Sequence, residues 1–196
     1  MKQIIVGISG ASGAIYGIRM LEALKGHAET HLIISAAARE TIALETSYRI
    51  QEVEATASFV HRVDDLAAPI SSGSFRTDGM VVVPCSIKSL SAVANSYTEN
   101  LIARAADVTL KERRRLVLVV RECPLHSGHL GLMLRASDMG AVIFPPSPAF
   151  YYRPASLDEI VNHTIGKILD LFGIEHPFKR WEGRDGKTVP EDSHKG

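Results

Sequence analysis

The residues best suited to chemistry stand directly after apolar runs. The first run, Ile4-Ile5-Val6-Gly7-Ile8, opens into Ser9-Gly10-Ala11-Ser12-Gly13 and then a helical pattern. Glycines there let backbone approach a ligand, and a helix N-terminus favours an anion. A second run ends in Ser35, and a third is stopped by Pro84-Cys85-Ser86-Ile87-Lys88-Ser89. Hydroxyls and N–H groups opening a helix make either a polar cradle or ordinary N-capping by Ser86. A fourth run ends in Arg121-Glu122-Cys123. Opposite charges after a buried strand are costly unless they pair or meet a ligand. Farther on, Pro145-Pro146-Ser147-Pro148-Ala149-Phe150-Tyr151-Tyr152 offers a stiff backbone and aromatics that wall a pocket or pack in the core. Ser71-Ser72-Gly73-Ser74-Phe75-Arg76 is a flexible polar loop that could close over a ligand, as many surface loops could.

The glycine spacing after the first run is neither the GxGxxG of dinucleotide sites nor a P-loop, which needs a Lys after its last Gly. Ser35 stands where an acid would hold an adenine-side ribose. A single phosphate, as on a flavin mononucleotide, therefore fits better than a nicotinamide dinucleotide; the alternative is a tight turn that only needs small residues. His126 and His129 are spaced like a metal pair but have no convincing third ligand, so no metal is expected. The basic run Lys111-Glu112-Arg113-Arg114-Arg115 is short, offset by Glu112 and placed at a helix end, where cations favour the dipole. No GxSxG elbow is present, which disfavours a hydrolase.

Strands and helices in alternation must position these segments. Residues 4–8, 30–34, 80–83, 116–120 and 141–144 read as buried strands rich in Val, Ile and Leu. Residues 12–25, 36–44, 101–111, 130–139 and 156–172 read as helices, the last opened by Ser156 and Glu159 as a capping box. The pattern predicts an α/β fold, a three-layer sandwich in which helices cover both faces of an open parallel sheet. Ligands in such folds sit beyond the carboxyl ends of the strands. A single domain over 1–178 is expected, followed by a polar tail over 179–196, either mobile or packed on a neighbouring subunit through Trp181.

Of 196 residues, 45% are hydrophobic and 22% charged, the composition of one globular domain with its own core. The 22 Lys and Arg balance the 22 Asp and Glu, so no general field draws nucleic acid or an anionic membrane. Cys85 and Cys123 are too few for a disulfide framework. No window approaches the roughly 20 apolar residues that span a bilayer, and the N-terminal apolar stretch is too short for a signal peptide. A cytoplasmic protein acting on small molecules is expected.

Taken together, Gly7-Ile8-Ser9-Gly10-Ala11-Ser12-Gly13-Ala14, Leu44-Glu45-Thr46, Ser71-Ser72-Gly73-Ser74-Phe75, Pro84-Cys85-Ser86-Ile87-Lys88-Ser89-Leu90, Arg104-Ala105-Ala106-Asp107-Val108, Leu110-Lys111-Glu112-Arg113-Arg114, Arg121-Glu122 and Pro148-Ala149-Phe150-Tyr151 resemble the UbiX/Pad family of flavin prenyltransferases. Some members of that family are named as components of phenolic-acid or hydroxybenzoate decarboxylases. The segments follow family order over nearly the whole chain. The resemblance implies a flavodoxin-like or Rossmann-like fold in a homo-oligomer, typically a dodecamer built from trimers. It implies transfer of a dimethylallyl group from dimethylallyl phosphate to reduced FMN, at N5 and then C6, without a metal. The prenylated FMN would serve a UbiD-type decarboxylase.

By the same resemblance, FMN is expected at Gly10, Ala11, Ser12, Ser35, Ser86, Ile87, Lys88, Ser89 and Arg121. The prenyl phosphate is expected at Ser72, Arg121, Tyr151 and Lys167, with Arg104 and Lys111 supplied by another subunit and Trp181 closing the site. Ser12, Glu45 and Glu122 are the candidates for proton handling, and Lys111 is counted among the catalytic residues. Relatives carry Arg where this chain has Lys167, which keeps the charge but loses the two-pronged grip. Position 167 also shares a polar helical stripe with His163 and Asp170, as a solvent-facing side chain would.

Such a residue set makes chemical sense. Cleaving an allylic C–O bond leaves positive charge on the prenyl group and negative charge on phosphate. Arg and Lys stabilise the second, while aromatic walls in a dry pocket face the first. Ring closure then needs a proton acceptor, either a carboxylate or the released phosphate. Two alternatives stand beside this reading. An FMN-dependent cysteine decarboxylase would use a His after the second helix and an Asn-containing loop after the third strand, where this chain has Glu45 and Pro84-Cys85-Ser86-Ile87-Lys88-Ser89. A flavin-carrying component of a decarboxylase would bind FMN without transferring anything.

Overall fold

In the computed structural model, which describes residues 1–178, the apolar runs become parallel strands. These are β1 (Lys2–Ile8), β2 (Ala28–Ile34), β3 (Phe59–His61), β4 (Gly79–Cys85), β5 (Arg115–Val120) and β6 (Val142–Ile143). They form one sheet in the order β3-β2-β1-β4-β5-β6, every neighbouring pair parallel. Trp181 and the rest of the tail expected over 179–196 lie outside the described residues.

Side chains alternate across the pleat and so feed two cores. Ile4, Val6, Ile8, Val81 and Val83 pack with α1 (Ala14–Leu24), α2 (Ala36–Glu45), α3 (Ile50–Glu54) and α7 (Leu157–Leu171). Ile5, Met80, Val82, Leu118 and Val120 pack with α4 (Ile87–Ala94), α5 (Leu101–Lys111) and α6 (Ser127–Asp138). Helices on both faces of a parallel sheet are the three-layer architecture that the alternation predicts. Truncating a wholly buried member such as Ile165 to Ala would cost about 2–5 kcal/mol.

β1 lies between β2 and β4, so the winding of the sheet reverses there. In doubly wound sheets this switch point opens a crevice at the carboxyl edge. The five strands legible from sequence have the flavodoxin order; β3 extends it to the Rossmann order. β3 escapes a sequence reading because it is three residues long at the sheet edge, with Phe59 and Val60 both about half exposed. α3 and a short turn of 3-10 helix over Pro69–Ser71 leave equally little periodicity.

Element ends differ from expectation for local reasons. α1 starts at Ala14 because Gly13 takes the N-cap in the left-handed region, φ 98°, which glycine adopts without strain. α6 starts at Ser127, earlier than expected, because the His126 ring accepts the Gly128 N–H at 3.0 Å and caps it. At α7, Ser156 Oγ accepts the Glu159 N–H at 3.2 Å, but the Glu159 carboxylate reaches past Ser156 to the Ala155 N–H at 2.8 Å. No described helix is long and apolar enough to cross a membrane.

Candidate functional site

The switch point opens into a cleft of about 580 Å³ lined by Ser9, Gly10, Ser35, Ser86, Lys88 and Ser89, with Asn100 and Ala103 opposite. Its size suits a small-molecule ligand, for which about 300–1,000 Å³ is usual. Gly10 passes so close to the start of α2 that a Cβ there would stand 2.4 Å from the Ala37 Cβ. Only glycine allows that approach. Ser35 and Ser86 cap α2 and α4, accepting the Ala38 N–H at 3.1 Å and the Ser89 N–H at 3.3 Å. Two helix N-termini therefore border one cleft, a setting that favours an anion. Ser9, which the sequence reading did not single out, is buried and ties β1 to β4. Its hydroxyl donates to the Pro84 carbonyl at 2.9 Å and accepts the Ser86 N–H at 2.8 Å. Lys88 pairs with Glu99 at 3.1 Å on the rim.

Glu45, the last residue of α2, turns back on the start of α1. Its Oε2 accepts the Gly13 N–H at 2.8 Å and the Ala14 N–H at 3.0 Å, and the Ser12 side chain adds a hydrogen bond. Burial pushes the carboxyl up, but these hydrogen bonds and the Arg121 charge outweigh it and hold Glu45 below the usual carboxylate range. The chain's own carboxylate thus occupies the N-terminus of α1. The N-termini of α2 and α4 open on the cleft instead. Arg121 stands just beyond β5 with its N–H on the Cys85 carbonyl at 3.1 Å, and its charge is felt at Glu45 and Tyr16. Glu122 accepts the Cys123 N–H at 3.0 Å. Ala11 is buried, and Ile87 packs into the core under α4 and α5. Burial pushes the Cys85 thiol up to about 12, so it stays neutral at the floor of the switch point.

Five of the residues expected at a phosphate ester fall into two further clefts, neither of which Arg121 lines. Ser72, Arg104 and Lys111 line one of about 460 Å³ with Gly73, Ser74 and Glu112. Lys111 is paired there with Glu112. The loop expected to be flexible is held down: Arg104 Nε donates to the Ser71 carbonyl at 3.0 Å, and Arg114 donates to the carbonyls of Gly73 and Phe75 at 2.8 and 2.7 Å. Tyr151 and Lys167 line the other cleft, about 310 Å³, with Ala149, His163 and Thr164. The two clefts share no lining residue. α5 and α7 also belong to opposite faces of the sheet, so the two cationic groups stay apart within one protomer.

The polar stripe expected on α7 divides. Lys167 and Asp170 are exposed, but His163 is buried. Tyr16 is a second residue that the sequence reading missed. It links α1 to α7 through a hydrogen bond with Thr164, and burial raises its phenol above the ordinary value. The rings of His126 and His129 lie 3.6 Å apart. Among the described residues no group of three or more His, Cys, Asp or Glu is placed to hold a metal.

Residues 1–149 match the Flavoprotein family. The chain is 58% identical over 188 residues to the flavin prenyltransferase UbiX of Escherichia coli (strain K12), covering 93% of this chain and 100% of that one. A solved structure of AnUbiX in complex with FMN and dimethylallyl pyrophosphate superposes with a TM-score of 0.92 at 50% identity, covering 94% of this chain and 99% of that one. The dodecameric FMN-dependent UbiX-like decarboxylase from Escherichia coli O157:H7 superposes with a TM-score of 0.90 at 52% identity, covering 92% of this chain and 100% of that one.

Proposed function

This chain belongs to the flavoprotein family and, within it, to the UbiX flavin prenyltransferases; it moves a dimethylallyl group from a phosphate ester to reduced FMN, and we propose how its clefts divide that work. The observation that carries the proposal is the meeting of a Cβ-free approach at Gly10 with two capped helix N-termini at one switch-point cleft. These residues suit a mononucleotide. Gly10, Ala11 and Ser9 offer close backbone and small side chains to a flat ring, while the starts of α2 and α4 offer N–H dipoles to its phosphate. Ser86, Ile87, Lys88 and Ser89 belong to the second of these starts.

When bound, reduced FMN supplies the electron-rich ring that accepts the prenyl group, at N5 and then C6. The chain's own part is to hold and ionise the donor. Tyr151, Lys167 and Arg121 hold the ester phosphate, and Ser72, Arg104 and Lys111 reach it from a neighbouring subunit. The separation of the two cationic clefts across the sheet supports this division. As the allylic C–O bond breaks, its electron pair leaves on the phosphate, and the cations stabilise that growing charge. Tyr151 and Tyr152 wall the carbon side and keep water from the cation. Glu45, held ionised, accepts the hydrogen bond of Ser12; the proton that ring closure releases would pass to Ser12 as Ser12 hands its own to the Glu45 carboxylate. Glu122 and the released phosphate are the other acceptors within this scheme.

The assembly is a homo-oligomer, and the dodecamer of a relative supports that number here. The product serves a UbiD-type decarboxylase in the cytoplasm. The test is turnover. Catalytic amounts of this chain, with reduced FMN and dimethylallyl phosphate, are expected to activate many equivalents of a UbiD-type apoenzyme. Activation limited to one equivalent would instead mark a flavin carrier. Release of carbon dioxide from a phenolic or cysteine-containing acid by this chain with FMN alone would mark a decarboxylase.

A further inference from the structure

The cleft around Tyr151 contains a side chain that neither the motifs nor the chemistry above assigns. His163 sits on α7 one helical turn before Lys167 and is 9% exposed. Its Nε2 lies 3.1 Å from the Tyr151 hydroxyl. Its ring stacks on Tyr152, centroids 4.4 Å apart and planes 17° apart, and meets the edge of Tyr151 at 5.7 Å and 75°. The imidazole is thus fixed on one face and at one nitrogen. His163, Tyr151 and Lys167 line the same cleft. Burial, and then the Lys167 charge, lower the His163 pKa, which leaves the ring neutral at neutral pH.

We propose that His163 is a positioning residue for the prenyl donor, holding the Tyr151 hydroxyl so that its O–H points at the phosphate beside Lys167. The inference rests on the reading that Tyr151 and Lys167 bind that phosphate. A neutral imidazole with its proton on Nε2 donates to the Tyr151 oxygen. The phenol then keeps its single O–H for an anionic oxygen. A hydroxyl that is already accepting a hydrogen bond is also a stronger donor. Lys167 adds charge but little direction, because an ammonium lacks the planar fork of a guanidinium. Within this cleft, which no arginine among the described residues lines, orientation of the ester therefore falls to Tyr151, and orientation of Tyr151 falls to His163.

Three substitutions separate this role from core filling. His163→Phe keeps a ring and removes the hydrogen bond. His163→Asn keeps an amide too short to reach Tyr151. His163→Gln carries an amide N–H to the place of Nε2. In steady-state prenylation at saturating reduced FMN, the Phe and Asn variants are expected to raise KM for dimethylallyl phosphate about tenfold, the worth of one hydrogen bond to a charged network. Their kcat and FMN affinity should stay within about threefold of the parent, and Gln should restore KM to within the same margin. Tyr151→Phe should raise KM similarly, and adding His163→Phe to it should cost nothing further. A parental KM in both the Phe and Asn variants, a loss that Gln does not rescue, or additive losses in the double variant would overturn the inference. If Tyr151→Phe leaves KM unchanged, the donor-site reading fails and takes the inference with it. If Tyr151→Phe raises KM but the His163 variants do not, only the inference fails. Should the Phe variant not fold, the Asn variant carries the same cycle.

Discussion

Glu45 has two duties that substitution can separate. Gln at this position can still accept the Gly13 and Ala14 N–H groups, so the start of α1 should hold. Ala cannot, and Glu45→Ala should cost about 1 kcal/mol in urea unfolding, the worth of a lost cap. If the carboxylate also takes a proton, Glu45→Gln should slow prenylation on the order of a hundredfold with little change in stability. Equal activity of Gln and parent would leave Glu45 a cap alone. The Glu45 pKa is lower in the folded chain. Its stabilising share is therefore complete above the unfolded carboxylate value and is lost as pH falls through the lower folded one. The Gln variant should lack that component of acid sensitivity in a pH series of melting temperatures. The family resemblance brought Glu45 and Ser12 into view, but not the cap, because the contact spans 31 positions. His163 stayed hidden for a similar reason. Its four-residue spacing from Lys167 reads as a polar stripe, and its contacts with Tyr151 and Tyr152 appear only in the fold.

Long elements were legible because burial writes a period into them. Alternate residues of β1, β4 and β5 feed the two cores, and Val161, Ile165 and Ile168 of the apolar stripe on α7 are buried, although Leu157 at its start is 80% exposed. β3 carries no such record, and its seat depends on particular side chains. His31 on β2 lies with Nδ1 3.0 Å from Nε2 of His61 on β3. It also stacks on Phe59 at 4.9 Å and meets the edge of Phe75 at 5.1 Å. Burial lowers the pKa of both histidines; the opposing pull of Glu29 on His31 and of Asp65 on His61 is smaller. The unfolded chain therefore binds protons first as pH falls below about 6.5, and this share of stability is lost from that point down to the folded values. Amide exchange in residues 59–61 should accelerate between neutral pH and pH about 5 beyond its intrinsic trend. His31→Phe, which keeps a ring and removes one titration, should flatten the effect. An unchanged slope would show that the pair does not hold the edge.

At the scale of the whole molecule, the protomer keeps apart the two cationic clefts that the proposed division of work would join. The cleft with Ser72, Arg104 and Lys111 and the cleft with Tyr151 and Lys167 lie apart. α6 also leaves Leu130 and Leu134, one helical turn apart, 53% and 63% exposed, a surface that suits contact with another copy. If a neighbour completes each donor site, two crippled variants should rescue each other. Arg104→Ala and Lys167→Ala protomers, each nearly inactive alone, should regain activity when co-assembled, with about one site in four intact under random mixing. No gain on co-assembly, with mixed oligomers verified by native mass spectrometry, would place both halves in one protomer. The family resemblance already assigns Arg104 and Lys111 to another subunit; periodicity alone could not, because which face each helix covers is set by the crossovers of the sheet. Prenylation of FMN by this chain itself is read from the mass of the flavin after anaerobic incubation with reduced FMN and dimethylallyl phosphate. A flavin heavier by one dimethylallyl unit, less the hydrogen it replaces, is the expected result. FMN of unchanged mass, beside a relative that is active under the same conditions, would contradict it.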